Sequence, residues 1–158
     1  MTLPIRSLDH TAIAVRSIED ALSLYRDLLG GDPQELFERP EQGFRTLTLR
    51  FPGGGGIELI APLGDEGFVQ EFLATRGEGV HHMTFMVADL AQSVTEARAA
   101  GVRVVGEDYT NPAWQEAFIS PRSAHGTIIQ LAQSNRDLAE RAKLWPSDAY
   151  RIAQIGDA

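Results

Sequence analysis

The sequence predicts an α+β fold built from two copies of one βαβββ module. Three observations carry this. His10 and His82 stand 72 positions apart, and so do Glu58 and Gln130. The text around each pair repeats at the same offset: Asp9-His10-Thr11-Ala12-Ile13-Ala14-Val15 is echoed by His81-His82-Met83-Thr84-Phe85-Met86-Val87, and Gly56-Ile57-Glu58-Leu59 by Ile128-Ile129-Gln130-Leu131. Each histidine precedes a run that reads as a strand and then a helix. The two modules are expected at about residues 7–62 and 79–133, within one domain spanning 1–134.

Residues 8–15 alternate with β-branched side chains and read as the first strand. Ser17 is an N-cap, with Asp20 placing acid in the first turn. Ile18, Ala21, Leu22, Tyr25, Leu28 and Leu29 follow helical spacing, which predicts an amphipathic helix over 18–29. Gly30-Gly31 ends it. Three strands are expected near 34–39, 44–51 and 56–61. Gly53-Gly54-Gly55-Gly56 leads into a strand, with no Lys-Ser/Thr after it, so it is a turn rather than a phosphate loop. Residues 67–75 read as a connecting helix. The second copy runs through a strand at 80–87, a helix capped by Asp89 and ended by Gly101, and strands at 102–105, 117–119 and 127–132. Residues 135–144 read as an appended helix, followed by a tail to 158.

A helix provides the long connection that a parallel strand pair needs, and the later turns permit antiparallel pairing. Each module alone leaves one face of a small sheet exposed. Pairing the modules is expected to bury those faces around a concave site.

Net charge is −8, which argues against non-specific binding to nucleic acid or anionic membranes, because both need basic surface. Cysteine is absent, so the chain has no disulfide, thiolate metal site or thiol nucleophile. The N-terminal residues lack an apolar signal core, and no run approaches the ~20 apolar residues of a membrane span. These features lead us to expect a cytoplasmic protein.

The repeated donors carry the chemistry. Imidazole nitrogens with carboxylate and amide oxygens suit one divalent cation, such as Zn, Co, Ni, Mn or Fe. His10, Glu58, His82 and Gln130 are the expected ligands. Glu58 lies between Ile57 and Leu59 on a strand, where burial without a partner is costly and a metal is the simplest compensation. His81 points to the sheet face opposite His82 and reads as structural. His125 falls in a turn. Glu58 and Glu116 are the candidate catalytic carboxylates. Trp114 and Phe118 are expected to wall the pocket, with 111–114 as a loop beside it.

The motifs Leu8-Asp9-His10-Thr11-Ala12-Ile13-Ala14-Val15, Pro40-Glu41-Gln42-Gly43, Ile57-Glu58-Leu59-Ile60-Ala61-Pro62-Leu63, Gly77-Glu78-Gly79-Val80-His81-His82-Met83 and Pro121-Arg122-Ser123-Ala124-His125-Gly126-Thr127-Ile128-Ile129-Gln130-Leu131 together resemble those of a known group. This group is the vicinal oxygen chelate superfamily of glyoxalase-like enzymes, and within it the methylmalonyl-CoA epimerase family. The resemblance covers residues 8–133. It implies a cupped mixed sheet around a metal site, an acyl-CoA or other small-molecule substrate, and a homodimer. It also implies substrate contacts from Arg122 and Ser123, whose turn matches the family's acyl-carrier-facing turn, and from Thr46.

Two departures stand out. Members of the epimerase family usually carry Glu, a ligand and proposed base, where this chain has Gln130. Some carry a second base where this chain has Thr46. An amide oxygen can still coordinate, but Thr46 cannot act as a carboxylate base.

The function expected is metal-dependent epimerisation or isomerisation by enolisation next to a carbonyl. The alternatives are a glyoxalase-type lyase or isomerase on another carbonyl compound and a catalytically silent ligand-binding homologue. A ring-cleaving dioxygenase would want a carboxylate where Gln130 stands.

Overall fold

The computed structural model describes residues 2–136. The appended helix expected at 135–144 falls almost wholly outside the described residues. Among those residues the fold is α+β, with eight strands in mixed parallel and antiparallel pairing and three α-helices. The described chain forms two compact units, one of residues 11–81 and the other of residues 2–10 with 82–136. The divisions fall inside the first and fifth strands.

In the unit of residues 11–81, the strand order is β2 (Asp32–Arg39), β3 (Phe44–Arg50), β4 (Gly56–Pro62) and then β1 (Ile5–Ala14). β1 and β4 are parallel, with Ala12 opposite Glu58, and the other pairs are antiparallel. Alternation sends Ile13, Leu47, Leu49, Ile57 and Leu59 to one face, where they pack under α1 (Ile18–Leu22) through Ile18 and Leu22. Ser17 caps α1 by accepting from the Asp20 amide at 3.1 Å, as its sequence position predicts. Thr46, Thr48 and Glu58 share the opposite face, with Thr48 directly across from Glu58. α2 (Phe68–Arg76) buries Val69 and Leu73 against Ala14 and Ile60.

The single helix expected over 18–29 is instead α1 followed by a π-helical stretch, Ser23–Leu28. Its wider turn is marked by the Leu29 amide bonding to the Leu24 carbonyl, five residues back, at 2.9 Å. The extra residue rotates the apolar stripe off the core. Ile18 and Leu22 are therefore buried, while Leu28 and Leu29 are exposed.

In the other unit the order is β5 (Gly79–Val87), β8 (Ile128–Gln133), β7 (Gln115–Ile119) and β6 (Val104–Asp108). β5 and β8 are parallel, with Thr84 opposite Gln130. The 72-residue repeat therefore extends to the hydrogen-bond register, because Ala12 and Glu58 shift onto Thr84 and Gln130. α3 (Leu90–Ala99) is capped by Asp89, which accepts from the Gln92 amide at 2.8 Å. Leu90, Val94 and Ala97 pack on Val87, Ala117 and Leu131.

β6 starts two residues later than the expected 102–105. The Val102 amide bonds to the Ala97 carbonyl at 3.0 Å and so closes the helix instead of joining the sheet. The pairing of β6 with β7 slips between Val105 and Asp108, where Gly106 has φ 65°, a left-handed conformation that glycine adopts without strain.

Candidate metal centre

β5 places His82 and Thr84 on one sheet face, because residues two apart on a strand point the same way. Pairing continues that face to Gln130 on β8 and to Phe118, directly across from Gln130, on β7. Glu116 lies two residues before Phe118 and diagonal to Gln130, close enough for a side-chain bond. The opposite face carries Phe85, Leu131 and Ala117 against α3. One face is thus committed to packing and the other to polar chemistry.

That polar face holds a continuous hydrogen-bonded chain. Asp9 Oδ2 lies 2.8 Å from His10 Nδ1, and His10 Nε2 lies 2.9 Å from Thr84 Oγ1. Thr84 Oγ1 donates to Gln130 Oε1 at 2.5 Å. Gln130 Nε2 donates to Glu116 Oε2 at 2.6 Å, and Trp114 Nε1 donates to the same oxygen at 2.9 Å. Asp9, His10, Thr84 and Gln130 are all buried, so the chain sits where each polar contact is strong and each missing one is costly. Both bonds to Glu116 fall on Oε2. Among the described residues, Oε1 has no hydrogen-bond partner.

His10 and His82 meet edge to face with ring centroids 5.7 Å apart. His10 and His82 each offer one ligand atom, and these two atoms lie within 4.8 Å of each other. Ligand bonds of ~2.0–2.2 Å let one cation join donors roughly 4 Å apart, so small side-chain adjustments suffice.

The hydrogen-bonded chain also fixes how Thr84 meets His10. A hydroxyl has one proton, and Thr84 commits its proton to Gln130. Thr84 Oγ1 is therefore the acceptor at His10, and the 2.9 Å contact is an Nε2–H donating to it. A divalent cation bound at Nε2 would replace that hydrogen, and paired imidazoles are donors that suit such a cation.

The other candidates are placed as follows. Thr46 is buried on β3. It faces Ile60 and is diagonal to Glu58, as Glu116 faces Ala132 and is diagonal to Gln130. Thr46 and Glu116 are thus equivalent positions of the two modules, and only one is a carboxylate. Phe118 is half-buried beside Gln130. Arg122 and Ser123 are exposed in a 3-10 turn, Pro121–Ser123, where Ser123 Oγ accepts from the Arg103 amide at 3.2 Å. His125 is exposed with φ 53°. His81 packs on the rings of Phe68 and Phe72, at 5.5 and 4.9 Å between centroids. Burial, and secondarily the nearby Arg76 charge, push its pKa down to about 4. It is a neutral packing residue, as its place on the strand predicts.

Asp9 and Thr84 belong to the same hydrogen-bonded chain. Both sit in the repeated motifs. Thr84 carries a signal of its own, since the repeat has Ala12 at the matching position.

A βαβββ module used twice, with imidazole and carboxylate side chains on its parallel strands, defines a class of α+β proteins. Comparison with known proteins agrees. The chain belongs to the Glyoxalase/Bleomycin resistance protein/Dioxygenase superfamily, whose sequence profile matches residues 9–118. It is 29% identical over 136 residues to the ethylmalonyl-CoA/methylmalonyl-CoA epimerase of Cereibacter sphaeroides, covering 82% of this chain and 98% of that one. The crystal structure of methylmalonyl-CoA epimerase from Mycobacterium tuberculosis is similar with a TM-score of 0.78 and 32% identity, over 88% of this chain and 95% of that one. A methylmalonyl-CoA epimerase solved in complex with methylmalonyl-CoA and NH4+ matches with a TM-score of 0.74 and 28% identity, over 85% and 96% of the two chains.

Proposed function

We propose that this protein is a divalent-metal-dependent epimerase or isomerase that enolises an acyl thioester, of the acyl-CoA class, next to its carbonyl. The observation that carries this reading is the edge-to-face approach of His10 and His82, two imidazole donors, with Glu58 and Gln130 repeated at the same 72-residue offset in the sequence. Similarity to several epimerases supports the reaction class, and the relative solved with methylmalonyl-CoA supports the substrate class.

His10, Glu58 and His82 would hold one Zn, Co, Ni, Mn or Fe ion, with Gln130 completing the set through Oε1. When bound, such a cation polarises carbonyl oxygens and stabilises the negative charge that develops on enolisation. Gln130 Nε2 and Trp114 Nε1 fix Glu116 by one oxygen and leave Oε1 for proton transfer. A base fixed in this way needs little reorganisation to reach a substrate carbon. Epimerisation takes a proton from one face of a carbon and returns one to the other. Glu116 and Glu58 are the two carboxylates proposed for that exchange. Trp114 and Phe118 would wall the acyl group, with Thr46 beside it. Arg122 and Ser123 would meet the carrier's phosphates or a carboxylate. The enzyme is proposed to work as a cytoplasmic C2 homodimer. No helix of the described residues is long and apolar enough to cross a membrane.

Thr46 favours a second reading, a glyoxalase-type isomerase or lyase on another carbonyl compound. Such an enzyme does not need a carboxylate at that position. Metal analysis tests what both readings share. Protein purified without added metal should carry, or take up, about one divalent ion per chain, and His10→Ala and His82→Ala should lose it. Failure of the wild-type protein to bind any of the five metals at micromolar concentration would overturn both readings.

A further inference from the structure

We propose that Asp9 is a positioning residue for the metal centre, making His10 its anchoring ligand. This rests on the metal-site reading above and adds a residue to it. Asp9 is 2% exposed, and its Oδ2 sits 2.8 Å from His10 Nδ1. Adjacent residues on an ideal strand point to opposite faces, so this contact is a local feature and not a consequence of the strand repeat.

A carboxylate at Nδ1 has two effects. It holds a hydrogen on Nδ1, so that Nε2 is the nitrogen that gives up its hydrogen to present a lone pair to a metal. It also raises the electron density of the ring, which strengthens Nε2 as a donor. Nε2 is the nitrogen 2.9 Å from Thr84, on the same face as His82 and Gln130.

The internal repeat shows that the arrangement is specific to one half of the chain. The position equivalent to Asp9 is His81, and His81 is packed against Phe68 and Phe72. His81 supplies no carboxylate to the ring that follows it. His10 thus has a carboxylate at the residue before it, and His82 has an imidazole there.

Thr84 gives the proposal a contrast. It approaches the same imidazole at the opposite nitrogen, the one a cation would occupy. Removing a group from Nδ1 should weaken metal binding, whereas removing the Thr84 hydroxyl takes away a competitor for Nε2.

The experiment measures Co(II) and Zn(II) affinity on chelator-stripped protein, by competition with a chromophoric chelator and by the Co(II) visible absorption band. Asp9→Asn keeps the shape and removes the charge. It should lower affinity about 10–100-fold, as loss of an outer-shell partner typically does, and should shift the Co(II) band. Asp9→Glu should recover part of the affinity. Thr84→Val should bind as tightly as wild type or tighter. Thermal melts of the metal-free proteins accompany each titration, so that lost binding is counted only for folded protein. Unchanged affinity in Asp9→Asn overturns the proposal while leaving the metal site intact. Equal weakening by Asp9→Asn and Thr84→Val also overturns it, because that is what general damage to a buried network would give. A wild-type protein that binds no metal overturns the reading beneath it as well.

Discussion

Acid should destabilise this protein partly through one buried ring. His81 is 9% exposed among Phe68, Phe72 and Arg76, and its pKa lies at about 4 in the fold, against an ordinary value of 6.5. Between those two values the unfolded chain takes up a proton on this imidazole that the folded chain refuses. Stability is therefore fully present above pH 6.5 and is lost as pH falls toward 4. At 1.36 kcal/mol per pH unit, the loss from this group is about 1 kcal/mol by pH 5.5 and about 3 kcal/mol by pH 4. That is a large share of the 5–15 kcal/mol typical of a domain. Urea unfolding of metal-free wild type and His81→Gln at half-unit pH steps isolates the effect, because every other titrating group is common to both. The wild-type curve should fall more steeply below pH 6.5, with the gap growing to about 3 kcal/mol at pH 4. Parallel curves across this range, or an NMR titration of the ring near 6.5, would refute the argument from burial.

Two further outcomes are expected. Glu116→Gln should leave metal content unchanged and lower turnover about 10²–10⁴-fold, the usual worth of a positioned acid or base; steady-state kinetics beside metal analysis checks this, and turnover within twofold of wild type would remove Glu116 from the mechanism. Leu131→Ala, at a 1% exposed site packed under α3, should cost about 2–5 kcal/mol in denaturant unfolding.

The module repeat was legible in the sequence because it was written in the residues that set strand register. The pairs Ala12–Glu58 and Thr84–Gln130 sit at one offset in the text and at one register in the sheets. Hydrophobic alternation located most strands, and Ser17 and Asp89 marked two helix starts as their side-chain chemistry requires. The stretch at 23–28 was not legible. Its apolar spacing suits an α-helix, and only the backbone shows the wider turn that exposes Leu28. The direction of Glu116 was also hidden. It depends on β7 beginning at Gln115 and pairing Phe118 with Gln130, and strand ends are poorly marked in sequence. The contact of Asp9 with His10 is hidden for a related reason. Alternation predicts that it faces away from His10, while the folded chain brings its carboxylate back to the ring.

Hydrogen exchange at the substrate carbon tests the central claim most directly. Metal-loaded protein is incubated in D2O with methylmalonyl-CoA and with other 2-substituted acyl-CoA thioesters, and the recovered thioesters are analysed by mass spectrometry and NMR. The account predicts deuterium entering at the carbon next to the thioester carbonyl, with loss of configuration there. The exchange should disappear in chelator-stripped protein and in His82→Ala, and return when metal is restored to the wild type. Metal-loaded wild type that leaves this hydrogen unexchanged in every such thioester would contradict enolisation of an acyl-CoA as the protein's chemistry.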